Sequence, residues 1–264
     1  DRTTWTVIDN TDGERDIVKN NAGTWQYNSN ATYASQTWVN GATNTELATL
    51  AEAMEGAAAG YALANASYDS VSFSVSSQDS VPLGMTFNTS GSKMYIIGRT
   101  GDNVYQYSLS TNFDLSTASY DSVSFSIGSQ ETDPQGVTFN SDGSKMYIVG
   151  KSTDTVYQYA LSTNFDLSTA SYSSISFSVS AQETAPEDIA FNTDGTKMFI
   201  VGETGDDVNE YALSTGFNVS TASFTDSFSV SAQDTNPSGI DFNSDGTKMF
   251  ISGMISDTIS EYVL

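Results

Sequence analysis

The sequence predicts an all-β chain built mainly as a four-bladed β-propeller. Its ~52-residue repeats are closed by an N-terminal strand and preceded by a small β module and one short helix. Two observations carry this reading. "FNSDGSKMYIVG" (Phe139 to Gly150) returns as "FNTDGTKMFIVG" (Phe191 to Gly202) and "FNSDGTKMFISG" (Phe242 to Gly253), and Gly91, Gly143, Gly195 and Gly246 stand 52, 52 and 51 residues apart. All four prolines (Pro82, Pro134, Pro186, Pro237) fall at one register of that repeat.

The domain boundaries follow: residues 1–42 as a small β attachment module, 43–60 as a short helix or linker, and 61–264 as the four-repeat propeller. In the first segment "TWTVID", "RDIVKN", "GTWQYN" and "SQTWVN" read as short strands, punctuated by "NTDGE" and "NNAG" turns. The stretch "TNTELATLAEAMEGAAAG" then supplies a capping box in Thr43 and Glu46, and places Leu47, Leu50, Met54 and Ala58 on one helical face. A linker helix and a self-association seam of two heptads both fit it.

Each repeat reads as four strands. "GVTFN" (Gly136 to Asn140) meets the tight turn "SDGS", in which glycine supplies a positive φ. "KMYIVG" and "TVYQYAL" follow, and "STNFDLSTA" connects to the Ser-alternating "SYSSISFSV" (Ser171 to Val179), suited to an outer edge in water. The phase of the repeats predicts closure. The chain stops after the third strand of its fourth unit, while "NASYDSVSFSV" (Asn65 to Val75) is an unassigned fourth strand at the other end. An eight-bladed ring of two chains, or an open stack, is the alternative.

Composition narrows the function. With 9 basic and 32 acidic residues the formal charge is −23, which repels nucleic acid and anionic lipid. No apolar run is long enough to insert in a bilayer. Cysteine and histidine are absent, removing thiol nucleophiles, disulfides, histidine bases and nearly all zinc chemistry. The Ser/Thr/Asn-rich acidic surface suits an extracellular setting.

Candidate sites lie on the face where the loops between second and third strands meet those leading into each first strand. Asp102, Asp154, Asp206 and Asp257 form one acidic ring, and Asp79, Glu131, Glu183 and Asp234 a second. Such carboxylates could hold Ca²⁺ or sugar hydroxyls, although aspartate before a strand is also an ordinary turn residue. No other cofactor is expected. At the tip after the recurring glycine the units differ, carrying Arg99, Lys151, Glu203 and Met254, which points to a ligand-binding surface. Met94, Met146, Met198 and Met249 read as core. Every repeating acid has a turn explanation and no unique acidic cluster breaks the repeat, so no catalytic residue is assigned and the chain is read as a non-enzyme.

The units "DGSKMYIVGKSTDTVYQYALSTNFDLSTASY" and "SFSVSAQETAP" resemble repeats of virion and fibre-like proteins of tailed viruses of marine microbes, and of some bacterial surface proteins. They are also similar to the wider family of lactonase-like and surface-layer propellers. The first resemblance implies a virion appendage, such as a tail-fibre or receptor-binding protein. Residues 1–60 would dock to other virion or surface-assembly proteins, and the propeller would adhere to a host glycan or protein, as a homo-oligomer such as a trimer. A filament or surface-layer subunit is the second reading, and a carboxylate-based polysaccharide-degrading enzyme the third.

Overall fold

The computed structural model describes residues 67–264 and four short strands nearer the N-terminus. These strands, β1 (Trp5–Asp9), β2 (Asp16–Asn20), β3 (Trp25–Asn28) and β4 (Trp38–Val39), pair in chain order as an antiparallel sheet. The expected helix at 43–60 lies outside the described residues. The chain divides into two compact units, Asp1–Tyr68 and Asp69–Leu264.

The larger unit is all-β and four-bladed. Blade 1 holds β5 (Pro82–Phe87), β6 (Lys93–Gly98), β7 (Asn103–Leu109) and β8 (Ala118–Ser126). Blade 2 holds β9 (Pro134–Phe139), β10 (Lys145–Gly150), β11 (Thr155–Leu161) and β12 (Ala170–Ser178). Blade 3 holds β13 (Pro186–Phe191), β14 (Lys197–Gly202), β15 (Asp207–Leu213) and β16 (Ala222–Ser229); blade 4 has three strands, β17 (Pro237–Phe242), β18 (Lys248–Gly253) and β19 (Thr258–Val263). All pairs are antiparallel meanders, and each proline opens an innermost strand, where its missing N–H costs no ladder bond.

Burial follows strand position. The second strand is covered on both faces, so "KMYIVG" is a nearly continuous apolar run, with Met146, Tyr147, Ile148 and Val149 fully buried. The outer strand β12 alternates and sends Ser171, Ser174, Ser176 and Ser178 to water. All four repeat methionines are core. At the turn before the second strand Gly143 adopts φ 73°, and the Phe165 ring lies 2.2 Å from where a Cβ would stand, so glycine is required twice over. The "STNFDLSTA" connection contains a short 3₁₀ turn, Leu167–Thr169, capped by Asp166, whose carboxylate accepts from the Ser168 N–H.

Blades are tied together by a repeated set of bonds. Lys93 Nζ and the Tyr95 hydroxyl donate to the Phe165 carbonyl of blade 2, and the Leu167 N–H donates to Gln106 Oε1 at 2.9 Å. One blade further, Lys145 and Tyr147 hold the Phe217 carbonyl, and Gln158 receives the Val219 N–H.

One expectation is corrected: the N-terminal strand does not close the ring. Val71–Val75 forms no ladder, and the fourth sheet keeps three strands. Phe73 packs edge-on against Tyr107 of blade 1 at 5.6 Å, just as Phe125 of β8 packs on Tyr159 of blade 2 at 5.5 Å. Neighbouring innermost strands touch in the order β5, β9, β13, β17, with no comparable contact from β17 back to β5. Met85 is therefore 57% exposed, whereas its counterparts Val137, Ile189 and Ile240 are 3%, 3% and 6% exposed. The physical reason is that the strand's apolar side chains are already engaged on blade 1, at the end of the arc opposite blade 4.

Candidate active site

The loops of one face come together as their positions in the repeat suggest. In each blade the tip residue donates its N–H to the lead-in of the first strand: Arg99 to the Val81 carbonyl, Lys151 to Asp133, Glu203 to Ala185 and Met254 to Asn236. Residues of both acidic rings help to hold these loops. Asp79, Glu131, Glu183 and Asp234 are buried and accept from backbone N–H groups of their own blade, Glu131 also from the Ser152 and Thr153 hydroxyls. Glu183 accepts from Ala185 at 2.6 Å, Thr204 at 3.1 Å and Gly205 at 3.2 Å. The recurring glycine before each tip makes room for that carboxylate: at Gly150 a Cβ would stand 2.6 Å from the Glu131 carboxyl carbon.

Asp102, Asp154, Asp206 and Asp257 adopt φ of 48°, 50°, 48° and 52°, a conformation that short polar side chains tolerate. The carbonyls of Asp102, Asp154 and Asp206 accept the N–H of Ile127, Val179 and Val230 and so tether the outer strands. Burial, then the nearby Glu131 and Glu183 charges, pushes Asp154 upward. Among the described residues no group of three or more acids is disposed to hold a metal ion.

The variable tips behave differently. Arg99 Nε meets Asp133 Oδ1 at 2.6 Å, and Gln135 donates to the same oxygen at 2.7 Å. Lys151 bridges to blade 3, pairing with Glu187 and with Glu203 at 3.1 Å. Met254, the fourth tip, is exposed and outside this charged run. Arg99, Lys151 and Glu203 are thus brought to one rim, and Glu187 joins them from the start of β13.

Glu187 and its neighbour Asp188 were missed in the sequence, yet the signal was there. Where the other innermost strands begin "PLG", "PQG" and "PSG", blade 3 reads "PED", so an acidic pair does break the repeat. Glu187 is 7% exposed; burial raises its pKa, against the opposing bond and charge of Lys151. Burial works against the charge of Lys151, but its bonds to Glu187 and Glu203 carry its pKa above the ordinary value. Asp188 is half-buried and lies where Gly136 and Gly239 of the flanking blades leave room. It accepts from the Ile189 N–H at 2.8 Å and the Ile240 N–H at 3.0 Å, and burial pushes it up to about 7.

A cleft of about 750 Å³ lies elsewhere, between blades 3 and 4, lined by Lys197, Phe199, Glu210, Phe242, Gly246 and Leu264. Its counterparts at the earlier junctions are occupied by the Phe165 and Phe217 connections, so its shape is that of a repeat junction. The rim, by contrast, brings two paired cations and a buried acid together.

Among solved structures the chain is similar to a putative 6-phosphogluconolactonase from Bacteroides uniformis, at 13% identity and TM-score 0.50, covering 97% of this chain and 65% of that one. It is also similar to a functionally unknown protein from Desulfotomaculum acetoxidans, at 13% identity and TM-score 0.49, covering 100% and 70%. A third is the Pseudomonas aeruginosa periplasmic gluconolactonase PpgL, at 14% identity and TM-score 0.46, covering 69% and 49%. The first likeness bears on fold alone, and the chain spans 65% of that structure's length. No curated protein matches the chain. A family model described as "Lactonase, 7-bladed beta-propeller" matches residues 128–264, more than half of the sequence. That match corrects two expectations, the virion appendage and the non-enzyme: the repeats that suggested a fibre are the repeats the lactonase model recognises. The chain belongs to the seven-bladed β-propeller lactonase family.

Proposed function

We propose that the protein hydrolyses a lactone at the charged rim formed by blades 1 to 3. The observation that supports this best is Glu187, a buried carboxylate of raised pKa, at a position held by Leu83, Gln135 and Ser238 in the other blades, paired with Lys151. Family membership supplies the reaction class.

In this reading the lactone carbonyl oxygen sits toward Lys151 and Arg99, whose charges meet the negative charge developing there. Glu203 and Asp133 hold the two cations in place. Glu187 takes a proton from water. The water oxygen bonds to the carbonyl carbon, the ring C–O bond breaks, and the proton passes to the departing ring oxygen, leaving an open-chain hydroxy acid. The net charge of −23 repels anionic substrates at long range, which favours an uncharged lactone over a phosphorylated one.

The test is base consumption at constant pH with a panel of uncharged five- and six-membered lactones and one phosphorylated sugar lactone. Turnover of an uncharged member above the spontaneous rate, lost in Lys151→Met and Glu187→Gln, is expected. No turnover across the panel, or undiminished rates in both variants, overturns the proposal.

A further inference from the structure

Every innermost strand carries a bulge at the residue after its proline. In β13 Pro186 pairs with Gly202 and Asp188 with Val201, so Glu187 has no partner of its own. The same step leaves Leu83, Gln135 and Ser238 without partners in β5, β9 and β17. A bulge re-aims the side chain it carries. In blade 3 that side chain is Glu187, turned to Lys151 of the preceding blade.

The residue that follows the bulge is glycine in three blades, Gly84, Gly136 and Gly239, and in blade 3 alone it is Asp188. The charges acting on its carboxylate, from Asp241 and Glu187, are both negative, and no cation pairs with it among the described residues. Backbone holds it instead. Oδ1 accepts from the Ile189 N–H at 2.8 Å, and Oδ2 crosses to the Ile240 N–H of blade 4 at 3.0 Å. On its other side Gly136 of blade 2 lies so near that a Cβ there would stand 2.7 Å from Oδ1 and 2.9 Å from the Asp188 Cα. Asp188 is thus wedged between the innermost strands of blades 2 and 4, directly after the bulge that carries Glu187.

We infer that Asp188 is a positioning residue: its bond to Ile240 and its seat against Gly136 fix the β13 bulge and so hold the Glu187 carboxylate on Lys151. The two departures of blade 3 from the repeat are then one device, in which Glu187 faces the lysine and Asp188 keeps it there. An acid set against two like charges costs stability unless hydrogen bonds offset the cost, and glycine serves the other blades without that cost. The consequence for turnover rests on the reading of the rim as a lactone-hydrolysing site; the hold on Glu187 does not.

The test compares the wild-type chain with three variants. Asp188→Gly restores the residue on which the other blades are built, and Asp188→Ala makes the same cut without freeing the backbone. Asp188→Asn removes the charge but keeps the shape and an oxygen for Ile240. The Glu187 carboxyl is titrated by carbon-13 NMR of glutamate-labelled protein, its signal assigned by its loss in Glu187→Gln. In Asp188→Gly and Asp188→Ala its pKa is expected to fall toward the ordinary glutamate value, as the carboxyl leaves its buried seat, and in Asp188→Asn to fall much less. With an uncharged lactone, kcat is expected to drop by roughly tenfold or more in the first two variants with KM little changed. A Glu187 titration unmoved in Asp188→Gly and Asp188→Ala overturns the inference, and so does an equal shift in all three variants, which assigns the effect to charge and not to position. Absence of turnover by the wild type overturns the lactonase reading, and the titration still decides the role of Asp188.

Discussion

Glu183 and Glu187 stand four residues apart, both almost wholly buried, and differ in what they touch. Glu183 repeats in every blade as Asp or Glu and is saturated by three backbone N–H groups of its own blade. Glu187 has no acidic counterpart at its register and faces a lysine from the preceding blade. The difference separates a loop-holding acid from the acid of the proposed site: in a repeat protein the carboxylate that recurs is holding a loop, and the one that departs from the repeat is free to do something else.

The largest expected effect breaks this pair in opposite ways. Glu187→Gln should lower lactone hydrolysis by roughly 10²- to 10⁴-fold, the usual worth of a general base, with little change in the thermal midpoint. Glu183→Ala should do the reverse, costing about 3 kcal/mol through three orphaned N–H groups and lowering the midpoint by roughly 10 °C in a thermal scan. Next in size, Gly150→Ala forces a Cβ into the Glu131 carboxyl and the Asp133 carbonyl, and should cost about 1–3 kcal/mol in a urea titration.

Asp188 sharpens the comparison through pH. Its folded pKa of about 7 lies above its ordinary value, so the stability it contributes is complete below about pH 4 and is lost as pH rises through 7. Midpoints measured from pH 4 to 8 should fall less steeply in Asp188→Asn than in the wild type. The smallest effect is expected at the other ring: Asp154→Asn keeps a residue that tolerates positive φ, and should change stability by within about 0.5 kcal/mol and leave hydrolysis unchanged.

Much of the fold was legible because it is written in local terms. The Gly143 turn, the apolar Lys145–Gly150 run and the alternating Ser171–Val179 strand each follow from neighbours in the chain. The position of Phe73 was not, because its partner depends on the angle between blades, which no single repeat encodes. The site was half legible. Variation at Arg99, Lys151 and Glu203 marked the rim, but Glu187 and Asp188 lie inside a strand, where attention to turns passes over them. The departure of "PED" from "PLG", "PQG" and "PSG" was the usable signal.

The most direct measurement is the hydrolysis rate of one uncharged lactone by wild type, Glu187→Gln and Glu183→Gln, each below its thermal midpoint. The account predicts that Glu187→Gln loses the rate while Glu183→Gln, still folded, keeps it. A Glu187→Gln enzyme as fast as the wild type would contradict it.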